Sequence, residues 1–234
     1  MKYYLSYAHE ALREQAFEFA KTFQLEISDK NLPRLHLQEE GLVLLDAKAK
    51  PIKLDWNDAA FKQRAKGQTG TDPLIRASLA GTKIHILDMT AGWGKDSLLM
   101  AKAGATVTLL EKNPYMAALL SDAHAHLDDK LLQSRMTVIW QDAKTYLQSL
   151  KPEDFPEVIY IDPMHPVREK SAQVKKHLQV LQELTAPNDD VKEMIEIAKK
   201  VAKKRVVLKW PAKASEVIPP QGRLMGKTIR FDIY

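Results

Sequence analysis

The chain has 234 residues, enough for one α/β domain with an appendage and a core of its own. Its 35 basic and 30 acidic residues leave a net charge of +5 and an isoelectric point near 9.1, so charge alone favours a nucleic-acid partner only weakly and placement matters more than the sum. The lack of cysteine excludes disulfides, thiolate zinc sites, iron–sulfur clusters and a cysteine nucleophile, and fits a reducing compartment. The opening MKYYLSYAHE has no apolar h-region, and no apolar run approaches the ~20 residues of a membrane span. A soluble cytoplasmic protein is expected, with no membrane and no metal.

From Met1 to about Trp56 the pattern reads as a short strand, a helix over 8–23 with the stripe Leu12, Ala16, Phe19 and Phe23, and short strands near 34–38 and 42–46. This is a small α/β cap. Residues 57–71 turn polar and basic and end in GQTGTDP, a flexible junction before a helix beginning near Asp72. The boundary falls there, giving a cap and basic linker over 1–70 and a second domain over 71–234. That domain alternates strands and helices: strand 84–88, helix 95–103, strand 106–111, helix 114–126, strand 136–140, a short helix after Asp142, strand 157–162, helical segments over 172–183 and 190–203, and strand 205–210. Five candidate parallel strands predict an α/β, doubly wound, Rossmann-like sheet, and the tail GRLMGKTIRFDIY predicts a closing antiparallel hairpin.

The first of these strands runs into Asp88-Met89-Thr90-Ala91-Gly92-Trp93-Gly94-Lys95-Asp96, a strand-to-helix turn whose Gly92 and Gly94 suit close approach of a ligand. A lone G-x-G also fits any tight turn. A dinucleotide would place its pyrophosphate beside the Asp96 carboxylate, and Ser97 stands where that fingerprint wants glycine or alanine, so an NAD-linked dehydrogenase is disfavoured. S-adenosylmethionine has no phosphate, and its sulfonium and α-ammonium suit Asp88 and Asp96. Glu111 ends the next strand near the ~20-residue spacing at which an acid meets ribose hydroxyls. The competing reading makes it a helix cap ahead of Pro114. Asp142, after the third strand, suits either the adenine amine, with Ala143 lining the pocket, or a plain N-cap.

The fourth strand ends in Asp162-Pro163-Met164-His165-Pro166 and should border the same crevice, because open α/β sheets bind ligands at the carboxyl ends of their strands. The prolines fix an unusual backbone path. An aromatic amine has its lone pair delocalised into the ring, so acceptors on its N–H groups help turn that lone pair toward an in-line attack on a methyl group. Asp162 and a neighbouring carbonyl suit this role, and Asp162 or water can take the proton afterwards. His165 is read as a stacking platform for a base rather than a general base. Carbon-5 methylation of pyrimidines is excluded because it needs a thiolate. Arg64 and Lys66 before the cofactor loop, with Arg168, Lys170, Lys175 and Lys176 after the catalytic turn, suit RNA phosphates. The cluster from Lys199 to Arg205 lies at a helix end away from the crevice and is read as dipole compensation and solvation.

These residues resemble the bacterial 16S ribosomal RNA guanine-N2 methyltransferase family. The resemblance rests on D-x-T-A-G-x-G-K-D (88–96), L-E-K-N-P (110–114), A-A-L-L (117–120), Y-I-D-P-M-x-P (160–166), K-S-A-x-V-K-K (170–176), K-R-V-V-L-K (204–209) and R-F-D-I-Y (230–234). It implies a class I methyltransferase fold, S-adenosylmethionine as cofactor, the N2 amine of a guanine in 16S ribosomal RNA or the small ribosomal subunit as target, and cofactor contacts at Lys95, Asp96, Glu111, Lys112, Asp142, Ala143 and Asp162. Two positions depart from the family pattern: His165 where Phe or Tyr is usual, and Trp210 where Arg is usual. The competing expectations are an amine methyltransferase acting on adenine or a protein side chain, and a non-catalytic RNA-binding protein; the latter predicts erosion of the loop, the ribose acid or the D-P turn, all of which are intact.

Overall fold

The computed structural model describes residues 2–59, 71–163 and 190–234, which build two sheets. The first contains β1 (Tyr4–Tyr7), β2 (Glu26–Ile27), β3 (Arg34–Gln38), β4 (Gly41–Leu45) and β5 (Pro51–Lys53), in the order β2-β1-β3-β4-β5. β1 runs parallel to β2 and β3, whereas β3, β4 and β5 form an antiparallel meander. Helix α1 (Arg13–Thr22) links β1 to β2 and is shorter than the sequence predicts, because residues Glu10–Leu12 wind as a 3-10 turn. The apolar stripe spans both windings, so its spacing does not mark where the tighter turn ends. β2 and β5, two and three residues long, carry too little alternation to be read from sequence.

The second sheet has the order β11-β12-β10-β9-β6-β7-β8. Its parallel members are β6 (His85–Asp88), β7 (Thr106–Glu111), β8 (Met136–Trp140), β9 (Val158–Ile161) and β10 (Arg205–Pro211). The chain winds outward from β6 to β8, then returns to place β9 on the other side of β6, which makes a topological switch at the carboxyl ends of β6 and β9. The predicted hairpin is β11 (Gly222–Met225) and β12 (Ile229–Ile233); β12 lies antiparallel between β10 and β11, leaving β11 at the edge.

Local chemistry fixes the helices. Asp72 caps α2 (Pro73–Ala77), Asn113 caps α4 (Pro114–Ala125), Asp142 caps α6 (Ala143–Ser149) and Asp190 caps α7 (Val191–Val201), each side chain accepting from N–H groups of the first turn. Proline at the first position of α2 and α4 presets the helical φ, and Lys199 and Lys200 complement the carboxyl end of α7. Helix α3 (Lys95–Lys102) follows the glycine loop, and α5 (Lys130–Ser134) precedes β8.

The pleat of the central strands sends alternate side chains to opposite layers. Ile86, Val107, Leu109, Val158, Tyr160 and Val207 face α3, α4 and the first sheet, while Leu87, Leu110, Ile159, Ile161, Val206 and Leu208 face α6 and α7. One continuous core therefore runs from Leu5, Leu35 and Leu44 of the first sheet through α4 to β6 and β7. Four polar contacts pin the join. The Tyr4 N–H donates to the Tyr115 hydroxyl at 2.6 Å, that hydroxyl donates to the Pro33 carbonyl at 2.8 Å, the Leu42 N–H donates to Asp122 at 3.0 Å, and Trp56 Nε1 donates to the Trp93 carbonyl at 3.1 Å. Among the described residues, no helix is long and apolar enough to cross a membrane.

Candidate active site

Asp88 ends β6 and is buried. It accepts from the Thr90 N–H at 3.0 Å and from the Ser97 hydroxyl. Burial pushes its carboxyl up to about 7, against the pull of those two hydrogen bonds. The loop that follows turns through left-handed conformations at Gly92 (φ 52°) and Gly94 (φ 66°). A Cβ on Gly94 would lie 2.6 Å from the Trp56 ring and 3.0 Å from Leu120, so the bare α-carbon there admits the first sheet's tryptophan.

Glu111 ends β7 on the same face. Its Oε2 accepts from the Gly92 N–H at 3.1 Å and its Oε1 from the Asn113 N–H at 2.8 Å. Burial raises its pKa, with the two N–H groups opposing the shift. Asn113, not Glu111, supplies the cap of α4. Asp142 lies at the carboxyl end of β8, capping α6 through the Thr145 N–H at 3.0 Å, with buried Ala143 beside it. Lys95 opens α3 half-buried, Lys112 is exposed, and the Trp140 indole donates to the Lys112 carbonyl at 3.2 Å.

The reacting end is densest. Asp96 in the first turn of α3 accepts from the Tyr160 hydroxyl at 2.7 Å and from Lys209 Nζ at 2.6 Å. The same ammonium lies 2.7 Å from Asp162 Oδ2, and the Asp162 N–H donates to the Thr90 hydroxyl at 2.6 Å. Strand register explains the meeting: Asp88 pairs with Tyr160, Tyr160 with Val207, and Lys209 lies two residues beyond Val207 on the same face. Burial lowers the Lys209 pKa, but Asp162 and Asp96 together outweigh it and hold the ammonium above the ordinary lysine range. Burial, then Asp96 and Asp162, raise the Tyr160 hydroxyl well above the ordinary tyrosine range, which keeps it a donor. Pro163 is half-buried beside this cluster.

The structure thus brings Asp88, Gly92, Asp96, Glu111 and Asp162 to one crevice. His165, Arg64, Lys66, Arg168, Lys170, Lys175 and Lys176 lie outside the described residues. Lys203, from the cluster at the end of α7, pairs with Glu157 just before β9, at the opposite end of that strand from Asp162. Lys209, Tyr160 and Thr90 fall inside the motifs that carry the resemblance and Ser97 bears only on the dinucleotide reading, and the sequence assigns none of the four a role at the site. The one available signal is a lysine that follows the apolar run Val206–Leu208 within a strand, where a charge is tolerated only with a partner. Trp210, the departure from the family pattern, packs in the opposite layer with its indole donating to the Ser215 carbonyl at 2.8 Å.

The donor set fits a cationic nucleoside better than a phosphate: four carboxylates, on Asp88, Asp96, Glu111 and Asp162, ring the loop and the strand ends. That crevice and a parallel sheet closed by the inserted antiparallel β12 define a class I, S-adenosylmethionine-dependent methyltransferase. A family model described as "Putative SAM-dependent methyltransferase" matches residues 18–234. A "Ribosomal RNA small subunit methyltransferase J" from Legionella pneumophila strain Philadelphia 1 is 40% identical over 231 residues, covering 98% of this chain and 95% of the relative. The protein of the same name from Thioalkalivibrio sulfidiphilus is 38% identical over 248 residues, covering 98% and 96%. A crystal structure of an S-adenosylmethionine-dependent methyltransferase from Neisseria gonorrhoeae has a TM-score of 0.78 at 24% identity, covering 99% of this chain and 95% of that one, which shows a common fold. The chain belongs to the S-adenosylmethionine-dependent methyltransferase family that includes ribosomal RNA small subunit methyltransferase J. The expected family, fold class and cofactor are borne out.

Proposed function

We propose that this chain methylates the exocyclic N2 amine of a guanine in 16S ribosomal RNA, in the cytoplasm, either as free RNA or within the small ribosomal subunit. The observation that carries the reading is Asp162, held at the sheet's switch point beside the acidic cofactor loop. The names of the similar proteins support ribosomal RNA as the substrate class. Bound in this crevice, S-adenosylmethionine would supply an electrophilic methyl group to the amine nitrogen, with S-adenosylhomocysteine as the leaving group, and Asp162 or water would take the N–H proton.

The chain's own residues do the rest. Glu111 accepts from the ribose hydroxyls with Lys112 beside it, Asp142 and Ala143 border the adenine, and Asp88, Asp96 and Lys95, with the Gly92–Gly94 loop, seat the methionine end. Asp162 and the backbone fixed by Pro163 accept from the target amine and turn its lone pair toward the methyl carbon. His165 stacks on the base, and Arg64, Lys66, Arg168, Lys170, Lys175 and Lys176 contact phosphates. Residues 1–70 act as cap and linker, and 71–234 as the methyltransferase domain.

The test is methyl transfer from radiolabelled S-adenosylmethionine to small subunits and stripped RNA from a strain lacking this protein, followed by nucleoside analysis. Label in N2-methylguanosine is expected. Label in a methylated adenosine, or in protein alone, overturns the guanine assignment; label in neither RNA nor protein, with cofactor bound, rejects the enzymatic reading on these substrates.

A further inference from the structure

We propose that Lys209 is a positioning residue for methyl transfer, joining the cofactor side of the crevice to the acceptor side by bridging Asp96 and Asp162. The inference rests on the proposed amine methylation and gives a role to a residue that the sequence places in a motif without one. The Lys209 ammonium lies 2.6 Å from Asp96 Oδ2 and 2.7 Å from Asp162 Oδ2, and the Tyr160 hydroxyl shares the Asp96 oxygen at 2.7 Å. One cation thus touches both the carboxylate assigned to the cofactor and the one assigned to the incoming amine.

Stability alone gives a poor account of this lysine. Buried ion pairs are often no more stabilising than well-packed apolar residues of similar volume. Val206, Val207 and Leu208 immediately before Lys209 are fully buried and apolar, so an aliphatic side chain would suit the strand equally well. A cation at this place does what an aliphatic residue cannot. Asp88, Asp96 and Asp162 crowd one crevice, where Asp96 and Asp162 both disfavour ionisation of Asp88. Without a fixed counter-charge Asp162 would tend to take up a proton, and a neutral carboxyl is a poorer acceptor for an amine N–H. The ammonium also fixes the rotation of the Asp162 carboxylate, whose backbone N–H is already held by Thr90. Lys209 therefore acts through Asp162, with no contact of its own with the reacting atoms.

The test compares wild type with Lys209→Met, which keeps the stem and removes the charge, and Lys209→Arg, which keeps the charge. Three readouts are taken: single-turnover methyl transfer against pH, calorimetric affinity for S-adenosylhomocysteine, and 13C NMR titration of the Asp162 carboxyl carbon, assigned with Asp162→Asn. In Lys209→Met, turnover near neutral pH is expected to fall about 10²-fold, the lower range for a misplaced acid–base group, and to recover as pH rises. The Asp162 carbon is expected to titrate at higher pH, and Lys209→Arg to restore much of both. A Lys209→Met enzyme with wild-type turnover, or an unmoved Asp162 titration, overturns the proposal. If Lys209→Met does not fold, Lys209→Gln, polar but uncharged, carries the same criteria. The NMR titration needs no RNA, so it decides the role of Lys209 even if the wild-type chain leaves ribosomal RNA unmethylated, an outcome that would reject only the parent reading.

Discussion

Two acidic regions share the crevice and are held in opposite ways. Glu111 is gripped by neutral backbone donors, the N–H groups of Gly92 and Asn113, whereas Asp96 and Asp162 are gripped by a charge, the Lys209 ammonium. Dipoles that belong to the main chain do not titrate and are built into the strand-to-loop geometry, so Glu111 braces the cofactor loop as well as offering lone pairs to a ribose. A charged bridge depends on side chains alone and responds to protonation and to a second cation. The first region suits constant recognition, and the second suits the place where charge changes during the reaction.

Substitutions can break or sharpen this contrast. The largest effect is expected at Asp162→Ala: single-turnover transfer should fall about 10²–10⁴-fold, the usual span for a positioned acid–base group, with much of the cofactor affinity kept. Near-normal turnover there would sink the acceptor role. Next comes Asp88, whose carboxyl is pushed up to about 7 when folded from 3.8. The folded state keeps this proton while the unfolded chain loses it, so its stabilising contribution is present below pH ~4 and lost as pH rises to ~7. Denaturant titrations should show that loss in wild type, at most about 1.4 kcal/mol per pH unit, and Asp88→Asn should flatten it. An unchanged slope in the variant would assign the pH dependence elsewhere.

On the backbone-held side, Glu111→Ala should weaken cofactor binding by about 1–3 kcal/mol, the range for losing a buried hydrogen-bonding group. Calorimetry showing equal affinities would remove the ribose assignment. The smallest change in cofactor affinity is expected for Trp56→Phe, which deletes the N–H to the Trp93 carbonyl and indole atoms packed against Gly94. A loss of about 1–3 kcal/mol in stability is expected, with a smaller loss of cofactor affinity. A larger affinity loss than at Glu111 would mean that the loop is held mainly from the first sheet.

The doubly wound sheet was legible in the sequence because its strands are short apolar runs ending in chemistry: HILD ends on Asp88, TVTLLE on Glu111, and VIYI leads to Asp162. Asp142 caps α6, one of the two roles its place in the sequence suits, whereas the cap ahead of Pro114 is Asn113 and not Glu111. Four features were not legible. β2 and β5 are too short for a period, and the 3-10 turn before α1 shares its apolar stripe. Lys209 and Asp96 are 113 positions apart, so only the register of β6, β9 and β10 brings them together. The sequence suits Gly94 to ligand approach, whereas its bare face also admits Trp56, whose indole bonds to the Trp93 carbonyl across 37 positions, a contact that local pattern does not carry.

Helix α4 is buried along most of its length because it lies between the two sheets, with Tyr115 and Asp122 bonded to the first and Met116, Leu119 and Leu120 in the shared core. The same helix begins three residues after Glu111. Modularity is lost as a result. A chimera that exchanges residues 2–56 between two relatives would have to exchange the matching face of α4 too, and with it the element that sets the end of β7. Recombination at the polar segment after Trp56, which looks like a natural seam, would cut through an interface rather than beside one.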